Sequence, residues 1–313
     1  MSTFDMSEHN NLPVVQMRHP SGATLMVYLF GAHIVSWVTS TGKEVLFVSK
    51  NAVFDGTTPI RGGIPLVFPQ FGGGKLPSHG FARRSNWVVE TSSDDTLVLR
   101  LSDNESTRAL WNKKFTLFYF ITLSPNSVTT AFQVQNQGDA TFQFQALLHT
   151  YFHLRDIRQT TLIGLSGQRY TDKLLDGDTD QLLDKPLSFT QETDRIFINA
   201  PAQVTLTGLS LRGVKDPNKE KENSCGASFF DGSVTIDIQV EGGEFNTHDI
   251  VVWNPWIEKS KRMNDFGDEE YHNMCCIEPG FVAGWQPLAA NDTWTITQTL
   301  TVTEVEEGGE TKL

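Results

Sequence analysis

Two-residue alternation of apolar and polar side chains recurs along this chain and restricts the fold more than any other feature. Val234, Ile236, Ile238 and Val240 alternate with Thr235, Asp237 and Gln239, and Trp294, Ile296, Leu300 and Val302 alternate with Thr295, Thr297, Thr299 and Thr301. Val27 to Trp37, Leu97 to Leu101 and Phe115 to Leu123 are rich in β-branched and aromatic residues. A side-chain period of two marks a strand with one face buried and the other wet. Many such strands, separated by Gly, Pro, Asn and Asp, predict an all-β fold, a large antiparallel sandwich with a few short helices. Glu105 to Trp111 and Glu269 to Met274 read as short helical turns, and no glycine-rich dinucleotide fingerprint follows a strand. No stretch reads as a linker, so residues 1–313 are expected to form a single domain, with a core over about 12–304 and a polar tail at 305–313. Leu211 to Ser224 reads as a polar excursion between strands.

Charge narrows the partners. With 37 acidic against 25 basic residues the formal net charge is −12, which disfavours nucleic acid or an anionic membrane as a partner. No run of about 18 apolar residues is present, and the first residues lack the order of a secretory signal. The cysteines are Cys225, Cys275 and Cys276; an odd number with two adjacent suits reduced thiols in an intracellular, cytoplasmic protein. Cysteine and histidine spacings show no zinc-like pattern, so no metal is expected. The final Thr311-Lys312-Leu313 is one residue away from a peroxisomal address, which leaves a peroxisome- or glycosome-type organelle as the alternative destination.

Chemistry-bearing residues gather in a few places. Pro59 to Arg84 carries Arg61, Lys75, His79, Arg83 and Arg84 among glycines and prolines that hold a loop in shape. Cations on such loops, in a chain this acidic, suit an anionic ligand; a solvated loop with scattered charge is the plain alternative. In Thr141 to His153, alternation puts Phe142, Phe144, Ala146, Leu148 and Phe152 on one face and Gln143, Gln145, Leu147, His149, Tyr151 and His153 on the other. The second face can line a polar cavity where Gln and Tyr bind sugar hydroxyls and His149 moves a proton, although either histidine equally suits a structural role. Glu278 stands among Ile277, Pro279, Phe281 and Val282; desolvation there would raise its pKa into the range of a general base, unless it simply pairs with an arginine. Trp253 and Trp256 flank Asn-Pro and can serve a sugar ring or the core, with Lys259 in reach of an anion. Asp194, beside Arg195, supplies another carboxylate, or only a local ion pair.

Six short motifs in this order resemble the hexose-6-phosphate mutarotase (glucose-6-phosphate 1-epimerase) family, within the wider aldose 1-epimerase group. They are P-I-R-G-G-I-P-L-V-F-P, H-G-F-A-R, L-L-H-T-Y-F, T-D-R-I, W-N-P-W-I-E-K-S-K and I-E-P-G, spread over roughly Leu12 to Glu304. The resemblance implies a β-supersandwich that interconverts α and β anomers of a hexose 6-phosphate. It implies His149 as general acid and Glu278 as general base. Arg61 and Arg83 would bind the substrate, chiefly its phosphate, Asp194 a sugar hydroxyl, and His79 would sit beside the ring. Ser78 stands where the family often has Gln, which shortens that substrate contact, and the Leu211 to Ser224 excursion is longer than the family suggests. Mutarotation breaks and remakes only the C1–O5 bond, so no cofactor is expected, and the expected partner is a small-molecule hexose 6-phosphate on a monomer. The rivals are an epimerase of unphosphorylated aldoses, a non-catalytic phosphosugar-binding module, and a glycoside hydrolase using Glu278 and Asp194.

Overall fold

A computed structural model describes residues 1–175, 180–213 and 229–304. Their strands form two sheets. The larger has fourteen strands and runs from Thr3–His9 at one edge to Val88–Ser93 at the other. Across its middle lie Gln203–Gly213, Phe229–Gly242, Thr293–Glu304, Ser127–Asn136 and Phe115–Leu123, each antiparallel to the next. The smaller has eight strands in the order Asp180–Leu182, Arg169–Asp172, Thr193–Phe197, Asp249–Asn254, Met274–Leu288, Phe142–Leu148 and Leu66–Val67, with Thr150–His153 also paired to Met274–Leu288.

One apolar layer joins the sheets. Trp37, Phe132, Ile236 and Ile296 of the larger sheet share a buried cluster with Phe144, Phe152, Phe197, Ile250, Cys275 and Ile277 of the smaller. Alternation then decides what the other side of the smaller sheet shows: Leu147, Tyr151, Val251, Trp253 and Cys276 belong to separate small clusters away from that layer. The face division read from Thr141 to His153 holds, since Phe142, Phe144, Ala146, Leu148 and Phe152 all enter the common core.

Local departures have simple causes. Val27 to Trp37 is not one strand but the hairpin Thr24–Tyr28 and His33–Val38, turned over Leu29 to Ala32, where Gly31 and Ala32 take positive φ. Both arms are buried, so composition alone gives no break. Trp256–Ser260 is a short α-helix within the W-N-P-W motif, in addition to Glu105–Leu110 and the 3-10 turn Glu270–Asn273. Leu211 to Gly213 continue a strand that pairs Arg212 with Phe229, so the excursion joins neighbouring antiparallel strands. Its residues 214–224, Cys225 and the tail at 305–313, with Thr311-Lys312-Leu313, lie outside the described residues.

Candidate active site

Register brings the two chemical candidates together. Leu147 pairs with Gly280 and Thr150 with Ile277, which places His149 opposite Glu278 on adjacent strands. Glu278 lies opposite Val251 on its other side, and Tyr151, Cys276, Trp253 and Asp194 form the next row across four strands. A bulge sets this alignment. Phe144 pairs with Gln286 but Ala146 pairs with Phe281, an offset of three residues; the earlier register, continued, would set Phe281 against His149. The bulge is clamped from two sides. Gln145 Nε2 donates to the carbonyls of Val282 (2.7 Å) and Gly284 (3.0 Å), while Asp249 Oδ2 accepts from the N–H groups of Val282 and Ala283, both at 2.8 Å. Gly280 is needed here because a Cβ would lie 2.1 Å from that of Leu147. Gln145 therefore braces the strand rather than presenting its amide to the cleft, and Gln143 is exposed.

His149 Nδ1 and Glu278 Oε1 are 3.3 Å apart, in side chains 9% and 1% exposed. Their alignment leaves His149 Nδ1 and Glu278 Oε2 without a hydrogen-bond partner. Burial drives Glu278 well above the ordinary carboxylate pKa, and the Asp194 carboxylate adds to the effect. Burial likewise drives His149 well below the ordinary imidazole value, helped by His79, Arg83 and Arg61. Low dielectric thus favours the neutral form of both. The Tyr151 ring stacks flat on that of His149, with centroids 4.7 Å apart at 6°, and fixes its plane.

Cations surround the pair. Arg61 donates to the Tyr151 hydroxyl (3.1 Å) and pairs with Asp265 at 3.0 Å. Burial pulls its pKa down, but Tyr151 and Asp265 outweigh that and raise it. Arg83 differs: its Nη2 donates to the Ser78 carbonyl at 2.8 Å, its Nε is buried without a partner, and it makes no ion pair among the described residues. Burial, with repulsion from Arg61 and Arg84, brings its pKa down to about 10, although Tyr151 and Asp265 act the other way. His79 lies edge-on to His149 at 5.7 Å, its pKa lowered to about 3 by burial and by Arg83, Lys173 and Arg61. Ser78 itself is exposed, as are Lys75 and Arg84.

Carboxylates and lysines close the other side. Asp194 pairs with Lys173 (3.2 Å) and Lys259 (3.7 Å), and Lys259 also with Glu192 (3.2 Å). Arg195 turns the opposite way, to Asp172, as strand alternation requires. Trp253 is 8% exposed and stands edge-on to both His149 and Tyr151, forming a wall, whereas Trp256 packs on Tyr271. The candidates His149, Glu278, Arg61, His79, Arg83, Asp194, Trp253 and Lys259 therefore surround one region. Lys173 and Asp265 also belong to it and carry no local motif in the sequence, and Cys276, read there only as a reduced thiol, joins them. Among the described residues one group could hold a metal ion: His149, Cys276 and Glu278. Sequence spacing could not reveal it, since His149 lies on a different strand.

Comparison with known proteins agrees with the motifs. The aldose 1-epimerase family profile matches residues 13–301. A protein of Cenchrus ciliaris described as "putative glucose-6-phosphate 1-epimerase" is 30% identical, covering 91% of this chain and 83% of its own. One of Escherichia coli with the same description is 27% identical, covering 89% and 86%. The crystal structure of a "putative mutarotase" from Salmonella typhimurium superposes with a TM-score of 0.78 at 27% identity, covering 96% of this chain and 94% of that one.

Proposed function

This chain belongs to the aldose 1-epimerase family, and from that premise we propose that it interconverts the α and β anomers of hexose 6-phosphates, glucose 6-phosphate first. Membership makes it a sugar epimerase; the phosphate and the residue roles are our reading. The observation that carries it is the set of two guanidinium groups, Arg61 and Arg83, within electrostatic reach of a buried His149–Glu278 pair, one of them without a carboxylate among the described residues. A phosphate dianion suits such a place, because arginine's planar fork matches its oxygens.

For ring opening, Glu278 removes the proton of the C1 hydroxyl while His149 protonates O5, and the C1–O5 bond breaks. The aldehyde end rotates about C1–C2. Closure then runs the transfers backwards on the other face of C1: Glu278 returns a proton to O1 and His149 takes one from O5. The ionised pair that starts the step differs from the neutral one by a single proton moved between Glu278 and His149, 3.3 Å apart. Opening leaves Glu278 protonated and His149 neutral, and closure restores the ion pair, so a full turnover conserves protons. The neutral combination that burial favours is the one that accompanies the open-chain sugar, which suits a site that must hold this intermediate until it closes. Acid and base assistance each supply about 10²–10⁴ in rate.

NMR magnetisation exchange between the two anomers of glucose 6-phosphate, set beside glucose and galactose, tests the proposal. We expect exchange to accelerate for the phosphorylated sugar at protein concentrations that leave the free sugars unchanged. Equal acceleration for all three would identify an epimerase of free aldoses. No acceleration for any would leave a phosphosugar-binding module.

A further inference from the structure

The cleft contains a group that the acid–base cycle does not use. Cys276 lies two residues before Glu278 on the Met274–Leu288 strand and therefore shares its face, whereas Cys275 points into the layer between the sheets. One ligand atom from each of His149, Cys276 and Glu278 lies within 4.8 Å of the other two, and all three side chains are buried. His149 and Glu278 are 7% and 1% exposed, yet His149 Nδ1 and Glu278 Oε2 have no hydrogen-bond partner among the described residues. Buried polar atoms of native proteins are nearly always satisfied, so two orphans beside a thiol ask for a ligand.

We propose that His149, Cys276 and Glu278 form a binding site for a thiophilic divalent cation, zinc above all, which occupies the sugar's place and inhibits the enzyme. Imidazole, thiolate and carboxylate are the donor types zinc takes, at about 2.0–2.3 Å, so that ligand atoms of a tetrahedral site stand roughly 3.3–3.8 Å apart. His149 and Glu278 already stand at 3.3 Å. Cys276, within 4.8 Å of both, closes the triangle with a side-chain movement on the order of an ångström. A water completes the fourth position. The thiol and carboxyl protons leave to solvent on binding. A dication with one thiolate and one carboxylate is neutral overall, which offsets the repulsion from Arg61 and Arg83. The soft sulfur selects zinc or cadmium over magnesium or calcium. Binding stands on this geometry alone; only the inhibition rests on the proposed acid–base role of His149 and Glu278.

Cobalt(II), which reports thiolate ligation by a near-ultraviolet charge-transfer band, is titrated into the full chain without substrate. We expect the band in the wild type and in Cys275→Ser, and its loss in Cys276→Ser, with Cys276→Ala as the alternative should the serine hydroxyl disturb packing. In parallel, zinc chloride should slow anomer exchange reversibly, relieved by a chelator, with Cys276→Ser less sensitive by about tenfold or more. Absence of a thiolate band in the wild type overturns the site, as does a band that survives in Cys276→Ser. A cobalt band without any slowing of anomer exchange would keep the metal site and overturn its competition with the sugar. Failure of the untreated protein to exchange anomers would bear on the enzymatic reading alone.

Discussion

Arg83 brings a guanidinium to the cleft with a carbonyl for a partner and no carboxylate among the described residues, while the neighbouring Arg61 is held by Asp265. The two are therefore unequal as anion ligands, Arg83 having the unmet demand. Charge-assisted hydrogen bonds contribute on the order of 1.5–3 kcal/mol, so Arg83→Ala should raise KM for glucose 6-phosphate about ten- to a hundredfold. KM for free glucose should barely move; equal effects on both sugars, in steady-state kinetics, would remove Arg83 from phosphate binding. Glu278→Gln keeps the shape of the side chain and deletes the base. Its kcat should fall by about 10²–10⁴, with glucose 6-phosphate affinity, measured calorimetrically, staying within several-fold. A variant with undiminished kcat would require another base.

Strands and loops set where these groups stand. The bulge opposite Gln145 turns on Asp249, whose carboxylate accepts two N–H groups from Val282 and Ala283. Asp249→Ala leaves the buried Val282 N–H without an acceptor, at roughly 1–3 kcal/mol, while the exposed Ala283 N–H can turn to water. We expect lower stability in urea together with a loss of kcat, because Glu278 no longer stays opposite His149. Asp249→Asn, which keeps one acceptor oxygen, should recover part of both, and an alanine variant with normal kcat would show that the clamp does not position Glu278. The Arg61 loop has its own fastening: His33 Nε2 donates to the Gly62 carbonyl at 2.7 Å. Burial chiefly lowers the His33 pKa, to about 4 from 6.5. Between those values the unfolded chain binds more protons than the folded one, so stability falls as pH drops from about 6.5 to 4, by about 3 kcal/mol. His33→Gln retains an N–H donor without a titration. The difference in thermal midpoint between it and the wild type should therefore depend on pH in this window, and a constant difference would contradict the assignment.

At this scale the sequence was informative where one face is wet. Phe115–Leu123 and Thr293–Glu304 show their alternation plainly, and the Thr141 to His153 faces could be assigned residue by residue. The hairpin inside Val27 to Trp37 was not visible, because buried arms leave no polar period to count. His149 and Glu278 could be chosen by chemistry and motif. Cys276 shares the face of Glu278 by strand alternation, but strand register across more than a hundred residues of chain is what brings it to His149, and Lys173 and Asp265 reach the cleft through Asp194 and Arg61.

The described residues form a pair of sheets with one apolar layer between them, to which Trp37, Trp87 and Trp294 contribute from within. A shared core gives neither sheet an independent reason to persist, so unfolding should be a single cooperative event. Tryptophan emission and far-ultraviolet circular dichroism, followed through a urea titration, should trace coincident curves; a separate early phase in either would mean that the smaller sheet comes away first. Chemistry is confined to the side of that sheet turned from the core, which lets a chain of net charge −12 keep a cationic cleft without disturbing its interior. The three-residue offset opposite Gln145 has a consequence for descent. Substitutions around the cleft alter its taste in ligands one at a time, but a single insertion or deletion within 282–285 shifts the count by one. Odd shifts exchange the two sides of a strand, so such a lineage would bury its carboxylate among aromatic rings and lose its chemistry in one step.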